Sequence, residues 1–186
     1  KGLSITGVKF GISFTTRFLN QANALVLVHS DGTLQISTGA VEMGQGVNAK
    51  ISSIVTSELG LARSQARVMP TRTDKNANTS PTAASAGADL NGGAALLATR
   101  KIKWRLSEFA SILLKTPTDR WASKTAGLGS QPEIILKHAN LDSNDPNEGA
   151  EWKTGIATYF DIEFKDGEVY QKSDPNNKVS FEVLII

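Results

Sequence analysis

With 186 residues, 40% of them hydrophobic, and a formal charge of +2, the chain has material for one ordinary domain or two small ones, and it lacks the strong positive charge of an extended nucleic-acid surface. It contains no cysteine, which excludes disulfides, thiolate metal sites and a cysteine nucleophile within it. No apolar run approaches the roughly 20 residues of a membrane span, and no secretory signal pattern is present.

Taken from the start, Val8, Phe10, Ile12 and Phe14 alternate as in a strand. Phe14 and Thr15 then read as a core aromatic beside a strand-end hydroxyl. The apolar runs Ala24 to Val28 and Leu34 to Ser37 flank Ser30-Asp31-Gly32-Thr33. An Asp-Gly pair in that position predicts a hairpin. Its second strand leads into Gly39-Ala40-Val41-Glu42-Met43-Gly44-Gln45-Gly46. Behind that turn, Val47, Ile51, Ile54, Val55 and Leu59 fall on one helical stripe, and Gly60 is placed to end the helix.

A glycine-rich turn between strand and helix is open to two readings. It is a tight connection, or it is a pocket in which the unpaired N–H groups of the first helical turn meet an anion or polar ligand. Gln45 adds a neutral side chain that both donates and accepts. Next, Ala66 and Val68 predict a short strand ended by Pro70. Hairpin, helix and strand together predict a two-layer α+β unit.

Thr71 to Asp89 has no apolar period and is rich in small and hydroxylated residues. It reads either as a solvated loop or as a close-fitting wall, with Ala83, Ala84, Ala86 and Ala88 admitting something large and Thr79, Ser80, Thr82 and Ser85 meeting its polar atoms. Asp89 is placed to N-cap a helix carrying Ala95, Ala98, Ile102, Leu106, Phe109 and Leu113 on one face, with Gly92 and Gly93 weakening its first turn. Lys115 to Lys153 is polar, reads as a variable insertion, and has room for one short helix. Ile156 to Phe164, Asp166-Gly167 and Val169-Tyr170 predict a second hairpin, and Ser173 to Lys178 a polar loop. His29 and His138 lie far apart and out of metal-ligand spacing, so surface or structural roles are expected for both. The apolar end from Phe181 to Ile186 is expected to pack or to mark a cut from a longer protein; the cut is the expectation here.

Several motifs converge on one family. Lys9-Phe10-Gly11-Ile12-Ser13-Phe14-Thr15, Phe18-Leu19-Asn20-Gln21-Ala22, Glu42-Met43-Gly44-Gln45-Gly46 and Asn78-Thr79-Ser80-Pro81-Thr82-Ala83-Ala84-Ser85 resemble, in order and spacing, the molybdenum-binding subunit of the xanthine dehydrogenase/xanthine oxidase family. Asp89-Leu90-Asn91-Gly92 extends the resemblance, which covers roughly Gly2 to Phe109. It implies a two-layer α+β sandwich of β-hairpins with two main helices, as in a molybdenum cofactor-binding domain, with residues 1–186 forming part of it.

By this resemblance Phe14 contacts a flat purine substrate, Thr15 hydrogen-bonds it, and Ala83 lies beside it. Met43, Gly44, Gln45, Gly46, Thr82 and Ser85 hold molybdopterin, and Ala84 lies against the molybdenum centre. The chemistry is consistent, because a planar ring wants an aromatic face, a bulky metal centre wants a neighbour no larger than alanine, and a pterin edge and phosphate want amide and hydroxyl partners.

Ala86, Gly87 and Ala88 depart from the more hydroxylated pattern of relatives. The family's catalytic glutamate and its substrate-binding arginine have no counterpart here, so no catalytic residue is assigned to this chain. Iron–sulfur clusters and FAD, which the family holds elsewhere, are expected outside it, since a chain without cysteine offers the clusters no thiolates. The implied partners are a purine, the remainder of the molybdenum subunit and an iron–sulfur/flavin unit, with no nucleic acid and no membrane, in the cytoplasm. Two alternatives stay open: a non-catalytic binding or assembly module of the same fold, and a related hydroxylase acting on aldehydes. The reading requires Gln45 and Ala84 to share one concave edge.

Overall fold

The computed structural model describes residues 1–8, 11–12, 16–114 and 161–185. The predicted hairpin forms β1 (Ala24–Val28) and β2 (Leu34–Thr38), paired antiparallel with Val26 opposite Ile36. Its turn closes with the Gly32 N–H donating to the His29 carbonyl at 3.0 Å, while Asp31 accepts from the Thr33 N–H and hydroxyl at 2.9 and 2.6 Å. The chain then crosses through α1 (Val47–Glu58) to β3 (Ala66–Val68), which pairs parallel to β2 and makes it the central strand. Burial follows that position: Leu34, Ile36, Ser37 and Thr38 of β2 are all buried.

The α1 stripe faces inward as its spacing predicts, with Val47, Ile51, Val55 and Leu59 buried and Ile54 half-buried. Full burial of an aliphatic side chain such as Ile51 is worth about 1.5–3 kcal/mol. The helix ends in a Schellman motif, the Leu61 N–H donating to Thr56 and the Gly60 N–H to Ser57 at 2.9 and 3.3 Å. Gly60 sits at φ +64, and a Cβ there would lie 2.4 Å from the Phe164 carbonyl oxygen. No other residue fits this crossing.

Phe164 belongs to the second hairpin, β4 (Ile162–Lys165) and β5 (Glu168–Gln171), which is present as predicted. The part of the prediction before Asp161 lies outside the described residues, as do Lys115 to Lys153 and His138. Ser173 to Lys178 is not a loop. Asp174–Ser180 forms β6, antiparallel to β5, with a register shift at Tyr170/Gln171. Its polar composition reflects an outer strand with only Val179 buried, and Pro175 is tolerated because an edge strand can spare an N–H. The apolar end packs as a short helix, α3 (Phe181–Ile185), with Phe181 and Leu184 buried.

The long helix α2 (Gly92–Leu114) touches α1 and β1 as well as β4, β5 and β6, so one helix serves both three-stranded sheets. Ala95 and Leu113 are buried, and Ala98, Ile102, Leu106 and Phe109 pack against the same core. Glu58 of α1 pairs with Lys103 of α2 at 3.4 Å, and the Lys103 ammonium also lies 5.4 Å from the centre of the Phe164 ring.

One further expectation is corrected. Asp89 does not N-cap α2: helical winding begins earlier, in a π-helical turn at Gly87–Asn91 preceded by Ala86, which puts Asp89 inside the first turn. There its charge still complements the helix dipole. The strand predicted over Val8 to Phe14 falls mostly outside the described residues; of its apolar positions only Val8 and Ile12 are described, 77% and 41% exposed.

Candidate cofactor-binding socket

The glycine-rich turn and the run of small residues meet. Met43, Gln45, Val47 and Lys50 on one side, and Thr82 through Asp89 on the other, line a cavity of about 570 Å³. Gln45 and Ala84 therefore share one concavity although they are distant in sequence. Its size is that of an ordinary small-molecule site.

The two walls are tied directly: the Val41 N–H donates to the Thr82 hydroxyl at 2.9 Å. Behind them, the Phe18–Ala22 segment is stitched to Asn78–Ser80. The Gln21 N–H donates to the Ser80 hydroxyl and the Ser80 N–H to the Gln21 carbonyl, both at 2.9 Å. The Ser80 hydroxyl in turn donates to the Leu19 carbonyl. Asn23 Nδ2 donates to the Ala77 carbonyl at 2.7 Å. Thr79 is packed so closely on the end of β2 that a Cβ at Gly39 would lie 2.2 Å from its Cγ2. These motif residues have a plain physical task, which is to hold the small-residue wall at its distance from the glycine turn.

The Ala83–Ala86 segment turns sharply, the Ala86 N–H donating to the Ala83 carbonyl at 3.1 Å with Ala84 at φ +51 and Ser85 at φ +57. Two positive φ values across such a bond define a type I′-like turn, normally built from glycine or asparagine. A non-glycine residue there costs on the order of 1–3 kcal/mol, and such strain gathers at ligand sites. Both residues line the cavity.

Across from them, Gln45 is held by its own loop. Its Oε1 accepts from the Met43 N–H at 2.6 Å and its Nε2 donates to the Val41 carbonyl at 2.9 Å. One proton on Nε2 and one lone pair on Oε1 remain for another group. Gly44 and Gly46, at φ +97 and +77, shape the turn, and the cavity is lined by Met43 and Gln45 beside them.

The residue missed in the sequence is Glu42. Its Oε1 accepts from the Gly44 and Gly46 N–H groups, both at 2.9 Å, and its Oε2 from the Asn48 N–H at 3.0 Å. Of the two readings of this turn, the one with amides open to an external anion does not hold for Gly44, Gly46 and Asn48, which already hold an internal one. These bonds, that from Asn48 foremost and then that from Gly46, keep the exposed carboxyl below its usual range. The signal was available: a carboxylate ahead of a helix N-terminus, within reach of its dipole. Lys50 and Asp89, also missed, put one charge of each sign on the cavity wall.

Of the other predicted positions, Ala83, Thr82 and Met43 line the cavity, while Phe14 and Thr15 lie outside the described residues. His29 is exposed, and among the described residues no cluster of His, Cys, Asp or Glu is arranged to hold a metal ion. Likewise, no described helix is long and apolar enough to cross a membrane.

The two-layer fold carries a roomy socket walled by amide, hydroxyl and alanine, a lining suited to a large polar ligand. The chain belongs to the molybdopterin cofactor-binding domain family, which matches residues 1–183. It is 45% identical over 160 residues to xanthine dehydrogenase/oxidase of Mus musculus, covering 86% of this chain and 12% of that protein. To xanthine dehydrogenase of Oryza sativa subsp. japonica it is 46% identical over 111 residues, 60% of this chain and 8% of that one. The chain thus spans about a tenth of the length of these relatives. Among solved structures it is similar in fold to quinoline 2-oxidoreductase from Pseudomonas putida 86, with a TM-score of 0.61 and 18% identity over 88% of this chain and 16% of the other.

Proposed function

We propose that this chain forms part of the molybdenum-binding subunit of a xanthine dehydrogenase, where it holds molybdopterin and contributes to a purine pocket. The observation carrying the proposal is the meeting of Gln45 with the Ala84–Ser85 turn on one cavity. In this reading Gln45, Thr82 and Ser85 meet the polar edge of the pterin with an amide and two hydroxyls. Ala84 presents only a methyl group to the metal, and a larger side chain would take up the space the metal needs. Met43 covers the rim with an apolar side chain that is 67% exposed. The bound group supplies the redox centre at which a water-derived oxygen replaces a purine C–H hydrogen.

Phe14 and Thr15 belong to the purine side of this proposal by resemblance. The general base, the iron–sulfur clusters and FAD belong to the rest of the assembly. The chain alone is therefore expected to form no urate from xanthine.

The test places the Gln45→Ala and Ala84→Val substitutions in the enzyme encoded by the full reading frame around this segment. Molybdenum and pterin content are measured before activity. The expected result is loss of pterin with Gln45→Ala, and pterin retained with lowered metal occupancy in Ala84→Val. Full cofactor content in both variants would refute the assignment, whereas steady xanthine turnover by the isolated chain would refute only the expectation that it is inactive alone.

A further inference from the structure

The hydrogen bonds of the glycine turn divide in an orderly way. Glu42 takes the N–H groups of Gly44, Gly46 and Asn48. Gln45 takes the N–H of Met43 and gives to the carbonyl of Val41. Two side chains, three positions apart, thereby close the loop from both sides. A helix N-terminus of this kind ordinarily offers its amides to an anion. Here an anionic ligand group would find those amides taken and a carboxylate facing it. The nearby cation on the cavity wall is Lys50, in the first turns of α1.

We propose that Glu42 is a positioning residue of the socket: its carboxylate closes the amino end of α1 to ligand anions and fixes the turn from which Gln45 presents its amide. The first part stands on the hydrogen bonds alone. The statement about Gln45 presenting its amide to a cofactor rests on the reading proposed above. Any phosphate on the ligand is directed away from the helix end, toward Lys50 on the cavity wall. Asp89, on the same wall, disfavours an anion in its own vicinity.

The experiment uses the chain itself, with backbone and side-chain amide signals followed by NMR in wild type, E42A and E42Q. In E42A, exchange at Gly44, Gly46 and Asn48 is expected to rise about fivefold, the size typical of losing a helix cap. The Gln45 side-chain NH₂ signals should shift as well, while exchange at Ile36 in β2 stays unchanged. Acetate added to E42A should restore protection at the three amides, because it replaces the missing carboxylate. Inorganic phosphate should shift these amides in E42A and leave them in place in wild type.

A merely structural side chain would not be replaced by a free anion. Unchanged exchange in E42A overturns the proposal, and so does an equal phosphate response in wild type, since the helix end would then be open. If E42A does not fold, E42Q carries the test: its Nε2 cannot accept the Asn48 N–H, and full protection of all three amides there overturns the proposal. Cofactor is absent from every measurement, so a failure of the molybdopterin reading leaves this result interpretable.

Discussion

Replacing Gly39 with alanine isolates the close approach of Thr79 to the end of β2, behind the socket. The added Cβ would lie 2.2 Å from Thr79 Cγ2, 2.8 Å from its Cβ and 3.1 Å from its Oγ1. Ordinary carbon contacts are about 3.5–4.0 Å, so Thr79 must retreat by more than about 1 Å. It cannot do so alone, because its hydroxyl donates to the Gln21 carbonyl at 3.3 Å and its neighbour Ser80 is bonded to Gln21 in both directions. Gly39 is not in the left-handed region, so alanine brings no backbone penalty and the effect is steric. Overpacking of this kind costs typically 1–3 kcal/mol, and the rigid surroundings place Gly39→Ala near the upper end, at about 3 kcal/mol. For a chain of this size that corresponds to a Tm lower by roughly 6–12 °C.

The assay is thermal and urea unfolding of four proteins: wild type, Gly39→Ala, Thr79→Ser and the double variant. Thr79→Ser removes Cγ2, the nearest atom, and should recover about 1 kcal/mol or more as a favourable coupling in the double variant. Gly93→Ala is the control, since nothing lies within 4 Å of its Cβ in α2 and helix propensity favours alanine there by about 0.8–1 kcal/mol. Equal stability of Gly39→Ala and wild type, or zero coupling with Thr79→Ser, would refute the close approach.

Other substitutions test neighbouring joints. Gly60→Ala meets the Phe164 carbonyl oxygen at 2.4 Å and the Lys165 nitrogen at 2.5 Å, and should cost about 2–4 kcal/mol from strain plus clash. Gly167→Ala, also at positive φ but with open space, should cost only about 1–2 kcal/mol, so equal losses in denaturant titrations would contradict the docking of the second hairpin on α1. Ala84→Gly relieves a positive φ and should raise the unfolding free energy by about 1 kcal/mol, whereas a decrease would show that the I′-like turn is not adopted. Acid sensitivity follows from Asp31, held low first by the Thr33 hydroxyl and then the Thr33 N–H, and from Glu42, held low first by the Asn48 N–H. Folding favours their charged forms, so their contribution is complete above the ordinary carboxylate range and is lost as pH falls through their depressed folded values. Tm measured from neutral pH to about pH 3 should therefore fall less steeply in Asp31→Asn and Glu42→Gln than in wild type, and parallel curves would contradict it.

What could be read in advance was local and periodic. The stripe from Val47 to Leu59, the Asp31-Gly32 hairpin and Gly60 as helix terminator each rest on residues within a few turns of one another, and each is present. Ser173 to Lys178 was misread because an edge strand needs a partner more than it needs apolar residues, and the partner, β5, is what the composition does not display. Asp89 was misplaced by one turn, since winding starts on Gly87 without a side-chain cap. The run from Thr71 to Asp89 was ambiguous by periodicity, and its wall-like character came from motif resemblance together with the bonds from Gln21 and Val41. The role of Glu42 is not legible in the motif, because nothing in its spacing shows whether the carboxylate turns to solvent or to the amides of its own loop. A carboxylate that reaches back to its own loop leaves the same motif with a different electrostatic meaning.

The two sheets end differently, and that bears on how this chain behaves in solution. The outer strand β6 carries Pro175, Asn176, Asn177 and Lys178, residues that discourage a second chain from zipping onto it. At the other sheet, β1 is the outer strand among the described residues, and it shows Leu25 and Leu27, 51% and 39% exposed. Among the described residues, one rim is guarded against sticking and the other is not. Concentrated solutions of this chain should therefore self-associate through β1, and lysine at Leu25 should keep it monodisperse.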